Sequence, residues 1–178
     1  MTRFDELSAL ARKKREQFRE TQRDVQAFAH RLVVGFRSYL GDSVGMAIYC
    51  QDVDRDHRMF DGAFPFPNRL CYCADGFSYF VLGIKFTASN AASPGTRGEE
   101  DWIYSMHFLV GIEKTGDGFT IRMSDQDYCV TEERLEADFY EPFFNQIHAA
   151  LAQPPAGQPK SSFGFGVFTT RKEQTPPA

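Results

Sequence analysis

From Arg3 to Leu40 the chain contains no proline, and no glycine before Gly35. That run constrains the fold more than any other feature, because proline and glycine are the strongest interruptions of a helix. Thr2 with Asp5 three residues on has the form of a capping box, and Gly41 stands where a C-cap is needed. A helix over the whole stretch would be about 57 Å long at 1.5 Å per residue, whereas a compact domain of this size is roughly 40 Å across. The helix must overhang its own domain or break.

Its two halves differ in pattern. Val25, Phe28, Ala29, Leu32, Val33, Phe36, Tyr39 and Leu40 make the broad apolar stripe of a helix buried against a sheet. Phe4, Leu7, Ala11 and Phe18 give only a narrow seven-residue seam, interrupted by Lys14 and Thr21. Residues 1–24 are thus expected to protrude as a basic helix half, 25–153 to form a single domain, and 154–178 to be a Pro/Gly-rich tail, in which 163–170 could add an edge strand.

Beyond Ser43 the apolar period shifts toward two, and turn residues divide the chain into strands near Val44–Gln51, Leu70–Ala74, Phe77–Thr87, Trp102–Lys114 and Phe119–Ser124. Gly116-Asp117-Gly118 and Ala74-Asp75-Gly76 read as hairpin turns, and Ala88–Asp101 as a longer loop. Alternation puts Phe80, Leu82, Ile84, Met106, Phe108, Val110, Ile112, Phe119, Ile121 and Met123 on one sheet face. The other face mixes Phe77, Tyr79, Val81, Ile103 and Leu109 with Lys85, Ser105, His107 and Glu113, which is too apolar to stand wholly in water. Thr131 opens a last helix with Leu135, Phe139, Phe143, Ile147 and Leu151 four residues apart, and Pro142 should kink or divide it. The expected class is α+β: a long N-terminal helix, an antiparallel meander of about five or six strands, and a C-terminal helix on one face.

Composition excludes several classes. With 42% hydrophobic residues, 18 Phe and a single Trp in 178 residues, the chain can build a core rather than remain disordered. No apolar run reaches the roughly 20 residues of a membrane helix, and Met1–Leu10 lacks the apolar segment of a secretion signal. The expected setting is cytoplasmic, without a membrane, and the thiols of Cys50, Cys71, Cys73 and Cys129 are expected to be free. Cys71 and Cys73 are spaced C-x-C, unlike the C-x-x-C of zinc knuckles and redox motifs.

Two clusters invite a chemical reading. Asp52, Asp54, Asp56 and His57, with Asp61 nearby, follow the first strand with alternating carboxylates that suit a hard cation. As an EF-hand the alignment fails, since His57 falls at the sharp-turn glycine and Ala63 at the bidentate glutamate. A metal-dependent hydrolase or nuclease built on these four residues is the alternative to the main reading. A second acidic set, Asp125, Asp127, Glu132 and Glu133, precedes the last helix, whose dipole accounts for it without a ligand.

Arg12, Lys13, Lys14, Arg15 and Arg19 make the outer helix a candidate polyanion binder, diluted by Glu16 and Glu20. Residues 1–40 carry a net +4 and the remainder −8, so a basic helix precedes an acidic body. No nucleotide, phosphate or protease motif is present, no cofactor is expected, and nucleic acid is not favoured. The main expectation is a non-enzymatic interaction protein that forms a homodimer or binds another protein. Its contacts would come from Phe4, Leu7, Ala11 and Phe18 on the helix and from Tyr79, Val81, Ile103 and Leu109 on the second sheet face.

Overall fold

In a computed structural model that describes residues 2–41, 46–87, 103–123, 126–152 and 166–169, helix α1 runs unbroken over Arg3–Leu40. Thr2 and Asp5 form the reciprocal capping box: the Thr2 N–H donates to Asp5 Oδ2 at 2.7 Å and the Asp5 N–H donates to Thr2 Oγ1 at 3.2 Å. The helix overhangs rather than breaks. Gly35 does not interrupt it, because there the missing side chain makes room for the phenol of Tyr140.

Among the described residues seven strands follow in one antiparallel sheet: β1 (Met46–Gln51), β2 (Cys71–Tyr72), β3 (Ser78–Thr87), β4 (Ile103–Thr115), β5 (Gly118–Met123), β6 (Gln126–Val130) and β7 (Gly166–Thr169). The spatial order is β1-β3-β4-β5-β6. β2 shares the edge of β3 with β1, and β7 shares the edge of β4 with β5. Thr115 pairs with Gly118 across a two-residue turn in which Gly116 takes φ +58°, the left-handed value a tight hairpin needs.

Strand β6 occupies the stretch read from sequence as an acidic approach to the last helix. Asp127 sits in that strand and pairs with Arg122 on β5 rather than facing a helix N-terminus. The loop expected at Ala88–Asp101, along with Val44, Trp102, Ser124, Asp125 and most of the tail, lies outside the described residues.

After β6 comes a 3-10 turn (Glu132–Arg134), a π turn (Glu136–Tyr140) and helix α2 (Glu141–Ala152). Pro142 is the second residue of α2, and the helix divides ahead of it as its ring geometry requires. The widened turn, with the Glu141 N–H donating to the Glu136 carbonyl, lies where a regular α-turn would meet the proline ring.

The inner half of α1 and the α2 region cover the same sheet face. Phe28 stacks on Phe119 with ring centroids 3.9 Å apart, and Phe143 meets Phe36 and Phe108 at 4.9 Å each. Each such fully buried ring contributes on the order of 1.5–3 kcal/mol of hydrophobic stabilisation. Arg37 closes the outer edge of β1 by donating to the Ile48 carbonyl at 3.0 Å and the Pro65 carbonyl at 2.8 Å. Cys50 exchanges both backbone hydrogen bonds with Phe64, so this edge is occupied by the chain's own loop.

Candidate interaction surfaces

The outer half of α1 is the most exposed apolar element. Every described residue from Thr2 to Glu20 is exposed except half-buried Ser8. Phe4 is 77% exposed, Leu7 65%, Leu10 64% and Phe18 45%. At about 100° per residue, these residues and Ala11 occupy the same sector of the helix as the buried Val25, Phe28, Ala29, Leu32 and Phe36. The apolar stripe is therefore continuous, and the body covers only its inner end. Phe18 touches Tyr72 edge-on, with centroids 5.0 Å apart, and marks where that cover stops. Leu10 is absent from the heptad seam because a strict seven-residue repeat skips it; counting at 3.6 residues per turn includes it.

The basic residues of this half are all exposed. By the same helical count Arg15, Arg19 and Arg12 fall in that order away from one edge of the stripe, Lys14 lies within it, and Lys13 stands on the other flank, beside Leu10. Glu16 and Glu20 lie beyond the arginine flank.

The second sheet face is covered in part by the chain itself. Val53, Phe77, Tyr79 and Val81 form a separate buried cluster with Cys71, Cys73 and half-buried Leu109 packed around it. Tyr79 and Val81 are thus covered by the loop after β1 and by β2. Ile103 pairs with Thr87 in the β3–β4 ladder. Two tyrosines lie across glycines on the neighbouring strand: Tyr49 over its partner Gly83 and Tyr79 over its partner Gly111.

A polar chain ties the rim of this cluster together. Tyr79 donates to Asp75 Oδ2 at 2.6 Å, and Arg122 contacts the same oxygen at 3.3 Å. Arg122 also grips Asp127 with two bonds at 2.8 and 2.9 Å and lies 3.8 Å over the Phe77 ring. Burial pushes the Asp75 carboxyl up, but the bonds from Tyr79 and the Phe77 N–H and the Arg122 charge together hold it below the usual range. Arg122 likewise lowers Asp127, chiefly through its hydrogen bonds.

Farther along the same face the Tyr49 hydroxyl lies 2.6 Å from His107 Nε2 and 3.1 Å from Ser105 Oγ, with the Lys85 ammonium 4.8 Å from the Tyr49 ring centre. Burial, reinforced by the Lys85 charge, lowers the His107 pKa and favours the neutral ring. Periodicity had placed His107 and Ser105 on this face; only the β1–β3 register adds Tyr49.

Two carboxylates of the acidic loop accept backbone N–H groups. Asp54 Oδ1 accepts the N–H groups of Asp56 and Arg58, each at 2.9 Å, and Asp52 Oδ1 accepts that of Arg69 at 3.0 Å. His57, at φ +61°, turns its ring onto Tyr79 at 4.5 Å and reaches within 3.7 Å of Cys73 Sγ. Asp56 and Asp61 are exposed. Among the described residues no three His, Cys, Asp or Glu side chains come together as a cation site. Burial raises the Cys50 thiol to about 12, and burial with the neighbouring Cys71 raises Cys73 to about 11, which leaves both poor nucleophiles at neutral pH.

A shallow open groove of about 530 Å³ runs between α1 and the loop before β2, where His30 meets the exposed Phe66 at 4.7 Å and Gln26 donates to the Pro67 carbonyl at 2.8 Å. Among the described residues no helix is long and apolar enough to cross a membrane. Comparison with family models, curated proteins and solved structures finds no match to this chain.

Proposed function

We propose that this protein is a non-enzymatic interaction module whose docking element is the outer half of α1. The observation that carries the reading is the continuous apolar stripe: one helix face buries Val25, Phe28, Leu32 and Phe36 in the chain's own core and leaves Phe4, Leu7 and Leu10 more than 60% exposed beyond it. A helix of this length gains nothing for the fold from its outer turns, since isolated helical turns are marginal in water. A second protein chain packed beneath them would bury the stripe and extend the existing core.

Face-specific photo-cross-linking tests this. A photoreactive residue at position 7, on the stripe, should give a discrete adduct with one protein chain in expressing cells, and the same residue at position 16, on the opposite side of the helix, should not. Equal adducts from both positions, or none from either, would remove the proposal.

A further inference from the structure

We infer that the chain docking on α1 is an acidic amphipathic helix of another protein, and that the charge on α1 keeps two copies of this chain apart. This rests on the docking reading above and names its partner.

The shape alone would favour a second copy. The exposed stripe points the same way as the buried one, into the space beside the end of the body, so two overhanging helices could stack stripe to stripe about a two-fold axis. Antiparallel pairing would match Phe4 with Thr21, Leu7 with Phe18, and Ala11 with Lys14 of the second copy. Charge opposes that arrangement. Lys14 lies in the stripe and would be driven into the seam from both sides. The two-fold axis would also place both sets of Arg12, Arg15 and Arg19 on the same side of the seam, six guanidinium groups along one flank. A parallel pair is worse, because Lys14 then meets Lys14 in one layer.

Some carboxylates that border α1 and the sheet are already engaged. Asp24 pairs with Lys114, Glu132 with Arg31, and Asp75 and Asp127 with Arg122, all within one chain. Glu16 and Glu20 lie beyond the arginine flank, away from the stripe. A helix with apolar residues at i, i+3, i+7, Glu or Asp on the flank facing Arg12, Arg15 and Arg19, and one further carboxylate opposite Lys14 would bury the stripe and pair these cations. Such a partner accounts for the apolar stripe and its basic border together, whereas a polyanion would use only the border and leave Phe4, Leu7 and Leu10 in water.

The test uses the protein itself as the probe. A full-length copy carrying Arg12→Glu, Lys14→Glu, Arg15→Glu and Arg19→Glu keeps the stripe and presents an acidic flank; all four positions are exposed, so its thermal unfolding should match the parent's. In light scattering at tens of micromolar each protein alone should have single-chain mass, and an equimolar mixture should have twice that mass. The association should weaken at least about tenfold between low and roughly 0.5 M salt, since screening reaches within a few ångströms there. Adding Phe4→Glu and Leu7→Glu to the acidic copy should abolish it. A dimer of the unaltered protein that these two substitutions dissolve would overturn the inference and leave docking on α1 intact. Single-chain mass in every mixture would overturn the inference and also remove the stripe as a docking element.

Discussion

The Tyr140 phenol lies across Gly35 and donates to the Leu32 carbonyl at 3.1 Å, so a side chain from the C-terminal helical region closes the middle of α1. A Cβ at position 35 would stand 2.3 Å from that phenol oxygen. Alanine is the better helix former by about 1 kcal/mol, yet Gly35→Ala should destabilise the protein by roughly 1–3 kcal/mol, because Tyr140 is buried and must be displaced. Urea unfolding followed by circular dichroism reads the sign. A gain in stability would show that the Tyr140 contact yields easily.

The two tyrosine–glycine pairs of the second face should not respond alike. A Cβ at Gly83 would meet Tyr49 at 2.3 Å and one at Gly111 would meet Tyr79 at 2.5 Å. Both rings are anchored, Tyr79 to Asp75 and Tyr49 to His107 and Ser105, but Tyr79 is only 5% exposed whereas Tyr49 is half-buried and borders solvent. Gly111→Ala should therefore cost about 2 kcal/mol or more and Gly83→Ala less, measured as the difference in unfolding midpoint at unchanged slope.

Acid sensitivity should trace to Arg122. The folded pKa values of Asp75 and Asp127 are depressed, so their contribution is complete above the unfolded value near 3.9 and is lost as pH falls through the folded values. Both carboxylates are largely solvated, and Arg122→Met should cost no more than about 1 kcal/mol at neutral pH. Its stability should fall less steeply than the parent's between about pH 5 and pH 2. Identical acid limbs would show that the pair does not couple to folding.

His107 titrates in the opposite range. A folded pKa below the ordinary 6.5 means the unfolded chain takes up the proton first, so stability is present above 6.5 and declines as pH falls through it toward the folded value. Between about pH 7.5 and 5.5 the parent should lose stability and His107→Gln, which still offers Tyr49 a hydrogen-bonding partner, should lose less. Parallel curves would place the titrating group elsewhere.

In the acidic loop, Asp54→Asn together with Asp56→Asn should leave the melting temperature nearly unchanged in chelator and in added Mg²⁺ or Mn²⁺, because Asn retains the oxygen that accepts the two backbone bonds. Asp54→Ala removes it and should cost about 1 kcal/mol. A metal-dependent rise that the double substitution abolishes would restore the cation reading.

Features with a local cause are legible in the chain. Thr2, Asp5 and the long interval without proline specify α1; alternation along β3, β4 and β5 separates the core face from the other; Gly116 marks the tight turn; and Pro142 marks the division of the last helix. Each depends on periods and backbone preferences acting within a few residues. Features that rest on contacts between residues distant along the chain emerge only on folding. Gly35 is a seat for Tyr140, 105 positions away, rather than a hinge, since a missing Cβ announces space without saying who fills it. Asp127 belongs to a strand because Arg122 and the β5 register hold it there. Asp52 and Asp54 accept backbone N–H groups, because carboxylate spacing fixes which groups are near one another and not where each oxygen points. The continuity of the α1 stripe was written in its 3.6-residue period; where the body stops covering it, at Phe18 and Tyr72, depended on how far the folded sheet extends beneath the helix.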